Sequence, residues 1–219
     1  EALCGWQVSD TTVRARFKLW VAHDVFRRAF EHALDAYDRI IGLDLSEVAV
    51  DGSLHKAPCG GEGTGPNPTD RGRSGWKWSI GTDRNGIPVG WATDSANRHD
   101  IPMLAPTLTS IASRHLLVDV ETIHLDRGYD ANTVRATLAT YGLDDAVIAK
   151  RRKRGEPAPV KVGLGLRWPV ERTNSWMTNY GQLRRNTDRH PAHREAQLAL
   201  ALVFILAAKL IDWRNRWNP

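Results

Sequence analysis

Short apolar strands alternating with amphipathic helices place this 219-residue chain in the α/β class. The β-rich runs at residues 48–50, 76–82 and 87–92 come first, and the last two flank Asp83–Arg84–Asn85–Gly86, whose Asn-Gly pair is a strong hairpin signal. A strand–helix–strand pattern then follows over residues 122–149. Two of these strands end abruptly in an acid, at Asp51 and Asp126. A hydrophobic share of 42% with nine tryptophans describes a globular chain, long enough for one sizeable core.

The elements follow in order. Residues 9–40 predict two helices. Ser9 or Asp10 caps the first, with Val13, Phe17, Trp20 and Val21 at helical spacing. Asp24 caps the second, with Phe26, Phe30, Ala33, Leu34 and Tyr37 on one face. Arg14, Arg16 and Lys18 show between the apolar positions of the first helix. That pattern fits either the second helix of a helix-turn-helix or a solvated basic face. We set residues 1–45 apart as an N-terminal helical segment and assign 46–219 to the main domain.

The run at 48–50 stops in Asp51–Gly52–Ser53, which reads as a strand followed by a turn. Residues 54–75 then form a long loop rich in Gly and Pro, of the kind that is functional or disordered. A helix is expected over 101–114, a strand over 122–125, a helix over 131–141 and a strand over 146–149. Lys150, Arg151, Arg152, Lys153 and Arg154 form a basic knot. Pro169 opens a helix with Trp176, Met177, Tyr180 and Leu183 on its apolar side and Glu171 on the opposite one. Residues 196–213 read as a core helix, because the apolar run over 196–211 is shorter than the roughly 20 residues a bilayer needs and Lys209 interrupts it. A membrane partner is not expected.

Net charge is +5, which suits an anionic partner. Cys4 and Cys59 are the only cysteines, far apart, as in a reducing compartment; His55 and Cys59 lack the second pair that ordinary zinc spacings require. The first residue is Glu and not Met, which is expected of a fragment.

Chemistry concentrates on three carboxylates. Asp51 and Asp126, at the ends of two adjacent parallel strands, can share a crevice, with Glu171 facing them from a helix. Such a set repels itself unless cations intervene, and its hard oxygens suit Mg²⁺ or Mn²⁺. Two ions about 3.5–4 Å apart stabilise both the attacking and the leaving oxygen at phosphorus. Arg172, Arg184 and Arg185 surround the glutamate helix and would hold a nucleic acid backbone. The acids also have plainer readings, with Asp51 as a turn former, Asp126 paired to Arg127 and Glu171 in a surface ion pair. A haloacid-dehalogenase-type phosphatase is excluded, because its nucleophile position is Ala49.

The stretches AVDGS, GWKWSIGTDRNGIPVGW, ANRHD, HLDRGYD, LRWPVERTNSW and GQLRRNTDR, in this order, resemble the DDE transposases of the insertion-sequence-five family. The resemblance implies an RNase H-like mixed sheet flanked by helices, with Asp51, Asp126 and Glu171 as catalytic, metal-binding acids. It implies cleavage at the inverted-repeat ends of a mobile element and joining of the freed 3′-hydroxyl to target DNA. It also implies two Mg²⁺ or Mn²⁺ ions, a homo-oligomer on DNA, and a bacterial, cytoplasmic, nucleoid-associated setting. Many members carry a lysine two turns after the glutamate, whereas this chain has Thr178. Two alternatives stay open: a non-catalytic DNA-binding protein derived from a truncated transposase, and an RNase H-like nuclease with no joining step.

Overall fold

A computed structural model describes residues 8–149 and 168–217. The basic knot at residues 150–154 lies outside the described residues. Helix α1 spans Asp10–Ala22 and α2 spans Val25–Ile40. Ser9 caps α1 as expected, its Oγ accepting from the Thr12 amide at 3.2 Å. Asp24 makes no side-chain cap; it turns the chain between the helices in a left-handed conformation, φ 53°.

The sheet contains β1 (Glu47–Lys56), β2 (Gly65–Pro66), β3 (Ser74–Thr82), β4 (Pro88–Ser95), β5 (Thr122–Leu125) and β6 (Ala146–Ile148). Its order is β2-β3-β1-β5-β6, with β4 also paired to β3. Strand β3 runs antiparallel to both of its neighbours β1 and β4, while β5 and β6 continue from β1 in parallel. This mixed sheet, flanked by helices on both faces, is the RNase H-like arrangement.

One expectation needs correction. The chain does not turn at Asp51–Gly52–Ser53. Strand β1 runs straight through them, pairing Asp51 with Ile80, Gly52 with Ser79 and Ser53 with Trp78. Backbone pairing to a long neighbouring strand overrides the turn preference of an Asp-Gly pair.

Helix α3 (Ile101–Ala112) and α4 (Asn132–Thr140) cover one face of the sheet, over Val48, Val50, Val89, Ile123 and Leu125. The other face packs Ala49, Trp76, Trp78, Ile80 and Trp91 against α2, α5 (Trp168–Thr178) and α7 (Pro191–Trp217). The N-terminal helices therefore share this core, with Phe30 fully buried edge-on against Trp91 at 4.9 Å between ring centroids. Helix α7 starts five residues earlier than the apolar run suggests and is long and apolar enough to cross a membrane. Its Leu198, Leu202, Ile205 and Leu206 are nonetheless buried in the core.

The helix that carries Glu171 is shorter than expected. It ends at Thr178, and a separate turn, α6 (Gly181–Arg184), carries Leu183 into the core. Its buried side is Pro169, Val170, Thr173, Asn174 and Met177. Tyr180 and Trp176 pack at the margin of that core.

Candidate active site

Register and alternation decide where the acids point. Ala49 on β1 belongs to the core under α2, α5 and α7, whereas Val48 and Val50 face α3 and α4. Successive strand residues alternate faces, so Asp51 shares the side of Ala49. The same rule applied beyond Leu125 puts Asp126 on that side too, since its backbone stays extended at φ −74°, ψ 173°. The last parallel rung is Val50 with Leu125, and each acid stands one residue past it on adjacent strands. The sheet therefore brings Asp51 and Asp126 together on one face.

Asp126 is fixed locally: its Oδ1 accepts from the Gly128 amide at 2.6 Å. Asp51 is held from the helix layer. The buried indole of Trp78 donates to Asn174 Oδ1 at 2.8 Å, which leaves the Asn174 amide nitrogen to face Asp51 Oδ2 at 3.4 Å. The indole donor decides the amide orientation, because an N–H can only be met by the carbonyl oxygen. Glu171 lies three residues earlier on the same helix, a rise of about 4.5 Å, and its side chain is exposed. Asn174 thus ties the glutamate helix to the first aspartate.

A second polar group backs the pair from the opposite face. Tyr129, 1% exposed, is surrounded by the charges of Asp100, Asp51 and Asp126 and by Ser79. Burial and then those negative charges push its hydroxyl well above the ordinary phenol range. Asp100 sits directly behind Asp51: a Cβ at Gly52 would come within 2.5 Å of its Oδ1. The same Oδ1 accepts from Lys77 Nζ at 2.6 Å, and that ammonium also donates to the Arg98 carbonyl at 3.1 Å. Sequence reasoning gave Lys77 and Tyr129 no part in the site and read Asp100 only as a possible cap of α3, a bond its side chain does not make. The available signal was a lysine flanked by two tryptophans within a strand, which must find a buried anion.

The donors offered by Asp51, Asp126 and Glu171 are all carboxylate oxygens, which fits a hard divalent cation. Among the described residues, no three His, Cys, Asp or Glu side chains already converge as a metal-binding group. His55 and Cys59 form no such group either: the His55 ring is buried and stacks on Trp78 at 3.5 Å, while Cys59 is exposed. Burial lowers the pKa of His55 to about 3, which keeps the ring neutral.

The basic residues fall into different settings. Arg14, Arg16 and Lys18 are exposed on α1, with Arg14 paired to Asp10 at 2.9 Å. Arg184 and Arg185 are exposed after α5. Arg172 is engaged within the fold: its guanidinium lies over Trp168 at 4.0 Å and Trp176 at 4.7 Å and donates to the Asn85 carbonyl of the β3–β4 turn.

Residues 42–206 match the family described as "Transposase DDE domain". A relative described as "Putative transposase for insertion sequence element IS402", from Burkholderia cepacia, is 35% identical over 148 residues, covering 65% of this chain and 67% of its own length. Among solved structures, the Mos1 mariner paired end complex with Mn aligns at a TM-score of 0.40 and 11% identity. That alignment covers 84% of this chain, which spans only 59% of the Mos1 chain. The Mos1 transposase catalytic domain, solved with raltegravir and Mg, aligns at 0.35 and 13% identity over 84% of this chain and 92% of that one. The family match covers three quarters of the sequence and includes all three candidate acids and the residues that contact them, so this chain belongs to the transposase DDE domain family.

Proposed function

We propose that the chain is the catalytic part of a DDE transposase, acting on the inverted-repeat ends of its element and then on target DNA. The observation that carries this reading is the placement of Asp51 and Asp126 one residue past the same parallel rung, with Asn174 tying the Glu171 helix to Asp51. Asp51 and Asp126 would hold the Mg²⁺ or Mn²⁺, and Glu171 would complete the set from α5. Two such ions, when bound, supply charge stabilisation for both the attacking and the leaving oxygen.

The chain's own residues have the positioning work. Asp126 is held against the Gly128 amide and Asp51 against the Asn174 amide, so both carboxylates are oriented before substrate arrives. The first nucleophile is water and the second is the freed 3′-hydroxyl of the DNA, both directed at phosphorus, with no covalent enzyme–DNA intermediate. We assign phosphate contacts to Arg184 and Arg185, exposed just after α5, and to Arg14, Arg16 and Lys18, exposed on α1; the basic run Lys150–Arg154 joins them on its charge alone. Arg172 contributes by fixing α5 to the β3–β4 turn. A homo-oligomer that joins two DNA ends, in the bacterial cytoplasm, completes the proposal.

Cleavage of labelled duplex bearing the ends that flank the gene, with Mn²⁺, tests this. Asp51→Asn, Asp126→Asn and Glu171→Gln should each abolish cutting at the element boundary and leave DNA binding nearly intact. A variant that still cuts at the wild-type rate removes that residue from the site. Binding without any cutting by the wild type would favour the alternative, a DNA-binding protein of transposase ancestry.

A further inference from the structure

The connection from β1 to β3 looks like an unstructured loop in sequence, yet one buried residue organises its second half. Asn67 Oδ1 accepts from the Thr69 amide at 2.9 Å and from its hydroxyl at 2.8 Å. The Asn67 carbonyl accepts from the amides of Asp70 and Gly72, and its own amide donates to the Arg73 carbonyl at 2.8 Å. The Arg73 amide closes a tight turn on the Asp70 carbonyl at 3.1 Å. Both central residues of that turn have positive φ, Arg71 at 55° and Gly72 at 70°. Two-residue turns of this kind favour Asn-Gly, because a side chain with a Cβ is strained at the first position unless it is Asn or Asp. Arg71 is nonetheless there, with its side chain exposed. A strained residue that does not serve the core points to a role outside it.

The neighbourhood says which role. Arg73 is exposed beside the end of β3. Across Lys56 of β1, Arg185 forms a parallel bridge on the far side, where the Asn186 amide donates to the Lys56 carbonyl at 2.8 Å. Two strand spacings and the two-residue offset of Arg73 from Gly75, the partner of Lys56, put the Arg73 and Arg185 backbones about 12 Å apart. The backbone of exposed Arg189 packs on Gly61 of the same connection. Carboxylates are present as well: Asp70 pairs with Lys56 at 3.4 Å, Asp188 lies 3.8 Å from His193, and Glu62 is exposed, while buried Arg194 takes the backbone carbonyls of Glu62 and Asp188. Positive charge dominates the rim.

We infer that Arg71, Arg73, Arg185 and Arg189 form a phosphate-binding edge for duplex DNA, preorganised by Asn67. The inference rests on the transposase reading and adds the connection at residues 67–73 to its DNA surface. Binding of a short random-sequence duplex is measured across a salt series for the whole chain, for Arg71→Asn and for Arg71→Lys, with Asp51→Asn as reference. Arg71→Asn should raise the melting temperature, since Asn tolerates the turn. It should also weaken binding several-fold and lower the salt slope by about one counterion. Arg71→Lys should keep the wild-type slope. Unchanged affinity and slope in Arg71→Asn would overturn the inference while leaving the transposase reading standing. A wild type and Asp51→Asn that both fail to bind the duplex would overturn that reading and the inference with it.

Discussion

Gly52→Ala is the sharpest probe of the polar group behind the acids. The new methyl would lie 2.5 Å from Asp100 Oδ1, closer than real contacts allow, while the other near atom, the Trp78 carbonyl oxygen, stays at an ordinary 3.6 Å. Asp100 therefore has to leave, and with it goes the 2.6 Å bond to Lys77, whose side chain is 5% exposed. Stranding a buried charge costs about 3–5 kcal/mol. Asp100 itself is 41% exposed and Lys77 keeps the Arg98 carbonyl, so solvent screening reduces the figure to about 2–3 kcal/mol. The partner variant, Asp100→Ala, should cost a similar amount by the same route. Combining them removes the clash, and an alanine in a strand is then about 0.5–1 kcal/mol better than glycine. Gly52→Ala should thus destabilise the wild type but be neutral or stabilising in the Asp100→Ala background. Urea unfolding of the four proteins gives the coupling directly. Equal costs in the two backgrounds would refute the argument that Gly52 is empty to admit Asp100.

Two further expectations concern the β3–β4 turn. Burial raises the Asp83 carboxyl to about 6, against the opposing amides of Ile87, Asp44 and Asn85. The native state then holds a proton that the unfolded chain has released, so stability contributed by protonated Asp83 is present below about pH 4 and lost as pH rises to about 6. The full change is about 3 kcal/mol. Asp83→Asn should remove this slope, and identical pH dependence of unfolding in the two proteins would contradict it. Arg172→Ala should destabilise by about 1–2 kcal/mol through lost stacking on two indoles. Arg172→Lys should not recover that loss, because an ammonium cannot stack flat or span to the Asn85 carbonyl as a guanidinium does. Full thermal rescue by lysine would show that charge alone matters there.

What the sequence reveals and what it hides separate along physical lines. The helix faces of α2 and the β3–β4 hairpin are legible because periodicity and an Asn-Gly turn are local signals, and Phe26, Phe30, Leu34 and Tyr37 are indeed buried together. The three acids stand out because two short apolar runs are followed directly by Asp and a basic helix carries a lone Glu. Local signals mislead at Asp51–Gly52–Ser53, where a turn-forming dipeptide lies inside a ten-residue strand. There the deciding partner, β3, is about thirty residues away, and nothing within the dipeptide reports it. The same holds for Asn174, which acquires its role only when Trp78, 96 residues earlier, donates to it and fixes its amide toward Asp51. Arg172 shows the limit from the other side: its charge on the helix is legible in sequence, but not the two indoles of its own helix and the distant turn carbonyl that hold it. A site assembled by register and long-range hydrogen bonds leaves residue types in the sequence but not their orientation. The candidate carboxylates can therefore be proposed from sequence, while the residues that contact them come only from the fold.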